Sequence, residues 1–197
     1  MAQALTAGMF SERAVTQKLE AGQGLIAALI ASAPAPELSE KADLFGRLVG
    51  SWEVDLISHR PDPILPKYVE CEWHFGWVLG GRAIQDVWIA PKRTLKIHGA
   101  GEWGTTIRFY DESVDAWRCT WHGPRRGVVR SFLARASDDG IVLEGVFDDE
   151  GPLRWIFSEI TDDSFKWRAV ISSDNWKTEN LIQEMFAWRQ IDQTDKT

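Results

Sequence analysis

The residues best equipped for chemistry in this chain are a carboxylate, an imidazole and two guanidiniums set among aromatics. Asp86 stands between Ile84-Gln85 and Val87-Trp88, in a run that otherwise reads as apolar strand. A carboxylate placed there must be paired, protonated or functional, because burying a bare charge is costly. Arg108 and Arg130 are the cations that other strands could bring to it. His122 ends a strand-like run just before Gly123-Pro124 and Arg125-Arg126. An imidazole near its ordinary pKa of ~6.5 suits proton transfer. If Arg118, Thr120 and His122 face inward, then Asp86, Arg108, Tyr110, His122 and Arg130 would supply an acid–base pair and an anion clamp. With the opposite parity, Trp117, Cys119 and Trp121 point inward and His122 lies outside. The sequence leaves both open, with Asp86 and His122 as the candidate catalytic residues.

The remaining chemistry-bearing residues make no known motif. The four His are His59, His74, His98 and His122, and no two have metal-ligand spacing. His74 shares a strand face with Glu70 and Glu72, which reads as a polar outer face, and no metal is expected. No nucleophile elbow, phosphate-binding loop or dinucleotide fingerprint occurs. Gly80-Gly81-Arg82 reads as a two-residue hairpin turn, since no helix follows it. Cys71 and Cys119 have no activating neighbour and read as strand residues.

Composition narrows the field further. The chain has 197 residues, 22 Lys+Arg against 29 Asp+Glu and a net charge of −7, which argues against nucleic acid as a partner. Eleven Trp stand against two Tyr and nine Phe. No apolar run is long enough for a membrane helix. Gly24–Ala35 has the look of a signal core, but it lies deep in the chain behind charges that sum to zero, so a cytoplasmic protein is expected.

These residues need elements to hold them. Residues 11–32 read as a helix, with Ser11 as N-cap, Glu12 in the first turn and Val15, Leu19, Ile26, Leu29 and Ile30 on one face. Pro34 and Pro36 end it. A second short helix is expected with Ser39 as cap and Leu44, Phe45 and Leu48 as its stripe, closed by Gly50. From Ser51 the period becomes 2, and ten strand-like runs follow: 51–58, 67–79, 82–90, 103–110, 115–122, 127–136, 141–147, 152–160, 164–172 and 178–189. Short polar turns separate them, apart from loop 59–66 and the basic loop 91–102, which reads as a lid or as a solvated hairpin extension. The expected fold is mainly β: a single antiparallel up-and-down barrel of about ten strands. Residues 1–36 form a helical extension packing on or capping it, and 37–197 form the barrel domain. Run 178–189 is apolar on both faces, with Leu181 and Met185 on one and Ile182, Phe186 and Trp188 on the other. The N-terminal helix or a second copy in a homodimer would cover it.

Leu48-Val49-Gly50-Ser51-Trp52, a short helix followed by Gly-x-Trp at the first strand, resembles the signature of the calycin superfamily of lipocalin, fatty-acid-binding and nitrobindin-like barrels. Phe75–Trp88, Tyr110–Trp121 and Trp155–Trp167 look like a bacterial family of uncharacterised calycin-like proteins. The resemblance covers about residues 45–189 and implies that Trp52 packs across the closed barrel end with Arg189 stacked on it, a structural pair. The His near the C-terminus that holds haem in nitrobindin-like proteins has no counterpart here, since no His follows His122, and no cofactor is expected.

Three functions follow. The first is a barrel binding a small apolar or aromatic molecule in a Trp-rich cavity, with Trp73, Trp77, Trp88, Arg108, Tyr110, Trp121, Arg130, Trp155 and Trp167 as candidate ligand-binding residues. The second is a cofactor-independent isomerase, cyclase, lyase or hydratase using acid–base residues in the same cavity. The third is a Trp-packed interaction barrel that dimerises.

Overall fold

The computed structural model describes residues 22–95, 101–147 and 151–190. Ten antiparallel strands form one closed barrel: β1 (Gly50–Ser58), β2 (Tyr68–Val78), β3 (Ala83–Ala90), β4 (Glu102–Asp111), β5 (Ala116–Gly123), β6 (Val128–Ser137), β7 (Gly140–Val146), β8 (Pro152–Ser158), β9 (Ser164–Ile171) and β10 (Asn180–Arg189). Each strand pairs with the next, and β1 pairs with β10 to complete the ring. This is the up-and-down barrel expected from the alternating runs and from the calycin resemblance.

Alternation places the core. Trp52, Val54 and Leu56 on β1, Cys71, Trp73, Phe75 and Trp77 on β2, and Phe165, Trp167, Ala169 and Ile171 on β9 are buried. Their intervening neighbours Glu53, Asp55 and Glu70 are exposed. On β5 Trp117 and Cys119 are buried and Trp121 lines the barrel interior, so Arg118, Thr120 and His122, of the opposite parity, take the outer face. Both thiols are free and buried, and burial pushes the Cys119 thiol up to about 12.

One end of the barrel is stoppered. A 3-10 segment (Pro36–Ala42) and a single helical turn (Asp43–Gly46) lay Leu38, Ala42 and Phe45 over it, followed by Leu48. Phe45 meets Trp117 edge-on at 5.3 Å between ring centroids and Phe157 at 6.3 Å. Ser39 is not the cap of this segment. It sits at a break with φ 46°, and the N-cap, Ala35, makes no side-chain capping bond.

The Gly-x-Trp signature has a physical cause here. The Trp52 indole donates to the Leu48 carbonyl at 2.8 Å and lies under the Arg189 guanidinium, 4.1 Å from the ring centroid. Arg189 donates from Nη1 to Val49 O at 2.8 Å, from Nη2 to Arg47 O at 3.1 Å and from Nε to Asp162 O at 2.5 Å. Gly50 has φ 134°, and a Cβ there would stand 2.4 Å from Arg189 Nη1. Glycine is needed both for the backbone conformation and for the approach of the guanidinium.

The structure departs from sequence expectation at three further places. Helical residues end at 29, since Ile30 bridges to Val78 and Ala31 N–H bonds Trp77 O at 2.9 Å. Ile26 and Ile30 are exposed, while Ser11, Glu12, Val15 and Leu19 lie outside the described residues. The β2–β3 turn has four residues rather than two, with Leu79, Gly80 and Gly81 all at positive φ. In β10 a register shift between Leu181 and Gln183 breaks the simple two-face alternation. Trp188 faces outward, 49% exposed.

The first part of loop 91–102 is tied to the outer wall. Arg93 donates to Glu72 from Nε at 2.9 Å and from Nη2 at 2.7 Å, and His74 Nε2 lies 3.2 Å from the same carboxylate. Lys96 and His98 lie outside the described residues. Burial works to raise the Glu72 carboxyl, but the Arg93 side chain and main-chain N–H, with His74, outweigh it and hold it at about 2.

Two outcomes follow for stability. Replacing Arg189 with Leu removes three hydrogen bonds and the stack, and should lower urea stability by about 2–4 kcal/mol. Arg189→Lys should recover little, because an ammonium cannot serve three carbonyls in one plane. For Glu72, the folded pKa lies below the ordinary 4.5, so its contribution is fully present above 4.5 and is lost as pH falls toward about 2. Urea melts across that window should show a shallower acid-side decline for Glu72→Gln than for the unchanged protein.

Candidate functional site

The end opposite the Trp52 stopper is hollow. A cavity of about 350 Å³ lies there, within the range of small-molecule sites, roughly 300–1,000 Å³. Its wall is a belt of indoles contributed by five strands. Trp88 meets Trp121 at 6.0 Å, Trp121 meets Trp155 at 5.9 Å, Trp155 meets Trp167 at 5.4 Å, and Trp167 meets Trp73 at 6.3 Å. All four contacts are edge-to-face, the arrangement that aromatic quadrupoles favour.

Close backbone approach makes room for this belt. The six-membered ring of Trp121 sits against Gly104 of β4, where a Cβ would stand 1.8 Å from the indole. On β10 the register shift lets Ile182 as well as Gln183 and Met185 reach the cavity. Strict alternation would have turned one of the adjacent pair away.

The rim is a hydrogen-bonded collar. In the β1–β2 loop, Asp62 accepts from the N–H groups of Ile64 and Leu65 at 2.9 and 3.0 Å, and from Arg126 Nη2 at 2.7 Å. Arg126 belongs to the β5–β6 turn, whose Arg125 and Arg126 N–H groups donate to the buried Glu102 carboxylate at 3.1 and 3.0 Å. Gly101 N–H closes the collar on Ile64 O at 3.1 Å. Arg130 lies over the Phe147 ring at 4.3 Å. Arg60, Arg126 and Arg130 line the cavity, with Asp62 as the carboxylate among the lining residues.

The interior polar groups are unusual. Ser58 Oγ, Thr106 Oγ1 and the indole Nε1 atoms of Trp73, Trp88 and Trp167 are buried and have no hydrogen-bond partner among the described residues, and all five residues line this cavity. Each such group costs about 1–3 kcal/mol when left unpaired.

The predicted site residues divide into two groups. Trp73, Trp88, Trp121, Arg130, Trp155 and Trp167 meet around the cavity. Trp77, Arg108 and Tyr110 do not line it. Trp77 packs near Gly46 at the stoppered end, and Tyr110 donates its hydroxyl to Asp115 beneath Lys41. Arg108 is 1% exposed and Asp86 0%, joined by a hydrogen bond from Arg108 Nη2 to Asp86 Oδ2. Asp86 Oδ1 also accepts from Thr106 N–H at 3.1 Å, and Arg108 stacks between Phe45 at 5.1 Å and Phe75 at 5.4 Å. This pair lies inside the barrel between cavity and stopper, whereas His122 is on the outer face of β5. Asp86 and His122 are therefore not brought together. Among the described residues no group of three His, Cys, Asp or Glu is placed to hold a metal, and no helix is long and apolar enough to cross a membrane.

Sequence reasoning missed Ser58, Thr106, Arg60, Asp62, Arg126 and Ile182. Thr106 was within reach, since it shares parity with Arg108 two residues on. The collar residues sit in loops, where no periodicity announces direction.

No family model matches the chain, and no curated protein does. Among solved structures it is similar to an S-type phycobiliprotein lyase from Guillardia theta, at 14% identity over 77% of this chain and 93% of that one, with a TM-score of 0.49. A likeness that distant carries no argument about ligand or reaction.

Gly104→Ala should push Trp121 into the cavity. Thermal unfolding should show a loss of about 1–3 kcal/mol from overpacking. Binding of the dye 1-anilinonaphthalene-8-sulfonate should fall in step, read by its fluorescence.

Proposed function

We propose that this chain is a small-molecule-binding barrel whose ligand is a flat, aromatic or apolar compound held within the indole belt. The observation that supports this reading is the contrast between the two ends. One is filled by Phe45, Leu48, Trp52 and Phe157, and the other leaves about 350 Å³ among five Trp. A barrel evolved only for packing would fill both, because interiors favour close packing. Aromatic walls with a few placed polar groups are the usual make-up of ligand pockets.

Binding is favoured over turnover by the chemistry of the charged lining groups. Arg60, Arg126 and Arg130 are guanidiniums, which stay protonated and make poor proton shuttles. Asp62 is committed to two loop amides and Arg126.

Native mass spectrometry of the purified protein should reveal a bound organic molecule. Titration of that molecule, or of 1-anilinonaphthalene-8-sulfonate, should quench Trp emission. Trp155→Leu should weaken binding about tenfold, while Trp103→Leu, on the outer face, should leave it unchanged. Equal affinity in the two variants would place binding elsewhere.

A further inference from the structure

The outer wall formed by β3, β4, β5 and β6 differs from the rest of the barrel in what it shows to solvent. Val87, Trp103, Phe109 and Val129 point outward there and are exposed, with Thr105 and Ile107 half-buried between the two aromatics on β4. Cross-strand register makes a continuous row: Val87 stands opposite Thr105, Thr105 opposite His122, and His122 opposite Val129. Carboxylates and guanidiniums on this wall are confined to its stoppered edge. There Arg118 donates to Asp111 at 2.5 Å, and Arg135 donates to the Val114 carbonyl at 3.0 Å. The wall of β1 and β2, by contrast, presents Glu53, Asp55 and Glu70 along its length.

The centre of the wall can be dried at little cost. Thr105 Oγ1 donates to Asp86 O at 2.5 Å and accepts from Gln85 Nε2 at 3.0 Å, so its hydroxyl is already partnered within the chain. Covering it leaves no donor stranded. Trp103, Phe109 and Val129 are 59%, 46% and 64% exposed. A whole aromatic side chain offers ~150–250 Å², so these three leave roughly 300 Å² uncovered, and their neighbours bring the wall to on the order of 700 Å². A stable interface buries about 800 Å² per partner. The centres of such interfaces are poor in charge and rich in aromatic side chains.

We propose that this wall is the interface of a two-fold homodimer, with β4 of one copy packed antiparallel across β4 of the other. An axis at the height of Thr106 sets Trp103 against the partner's Phe109 and Thr105 against the partner's Ile107, each pair occurring twice. The occupant is a second copy because the chain carries a net charge of −7. Two copies repel wherever their carboxylates face each other, and this wall lets them meet without that cost. The apolar residues of β10 match a second copy less well. Trp188 stands opposite Glu53 and Phe186 opposite Asp55, and Lys166 lies over the Phe186 ring at 5.6 Å. A dimer through β10, the expectation from the sequence, would press those charged groups into the contact. The interface uses only the outward residues of its strands, so it stands or falls independently of the cavity.

Sedimentation velocity on the full chain, from about 1 to 100 µM, tests this. The unchanged protein should sediment as a dimer with a Kd of about 10 µM or tighter. Ile107→Glu sets two carboxylates beside the axis, and Trp103→Glu sets one at each end of the contact. Each should weaken association at least about tenfold while circular dichroism stays unchanged. Trp103 is largely exposed, so Trp103→Glu carries the test if Ile107→Glu fails to fold. Trp188→Glu should leave the dimer intact. A monomer throughout this range would overturn the proposal and leave the wall to residues 1–21 of the same chain or to a different protein. Dissociation by Trp188→Glu, with the two β4 changes silent, would move the interface to β10 and overturn it as well. Steady growth beyond a dimer with rising concentration would mean an open head-to-tail contact and would overturn the two-fold arrangement.

Discussion

Arg189 is the residue on which the barrel closes. A ten-stranded ring has one seam where its first and last strands meet, and here that seam ends in Trp52 opposite Arg189. The guanidinium lies over the indole and reaches three backbone carbonyls, on the approach to β1 and on the β8–β9 connection. One planar cation thus ties together three separate stretches of chain. The demand it makes is local: a Cβ at Gly50 would stand 2.4 Å from its Nη1, on a backbone conformation that L side chains rarely adopt. With that end settled, the aromatic filling from Phe45, Trp117, Phe157 and Phe165 has a floor to pack on.

The two ends then solve opposite problems. At the stopper, rings interlock around Phe45 and Phe157. Between stopper and cavity, Asp86 and Arg108 form a buried pair whose charges are offset by each other and by flanking rings. Such a pair is weak evidence for stability, and the Nε and Nη1 of Arg108 stay buried without a hydrogen-bond partner among the described residues. At the other end, backbone and side-chain bonds are spent on the collar, which joins the β1–β2 loop, the start of β4 and the β5–β6 turn. The collar uses Asp62 and Glu102 to hold loops in place, so the cations facing the cavity sit on a fixed frame.

Much of this was legible in the residues. Alternation along β2 and β9 placed Trp73, Phe75, Trp77, Phe165 and Trp167 on one face, and that is where they lie. The Gly-x-Trp resemblance led to Trp52 and Arg189, which do stack. What could not be read was decided by geometry that period-2 patterns do not encode. Parity on β5 had two self-consistent answers, and bulk tilted it toward Trp117 and Trp121 inside, leaving His122 out. The shift in β10 delivers two neighbouring residues to one side. Trp77 and Trp121 look alike in the sequence, yet one packs at the stopper and the other walls the cavity. Their difference is height along the barrel axis, which no residue-by-residue pattern reports.

The seam also sets an order of events during synthesis. Val49 and Arg189 are 140 positions apart, yet their bond helps shut the ring. Chains emerge from the ribosome N-terminus first, so β1 waits with an unpaired edge while nine further strands are made. Contacts of such long sequence separation form late and slowly. A nascent chain stalled before β10 would expose two open strand edges and a row of indoles, the features that recruit other chains. For this barrel, the interval before its last strand emerges is the period of greatest risk of aggregation.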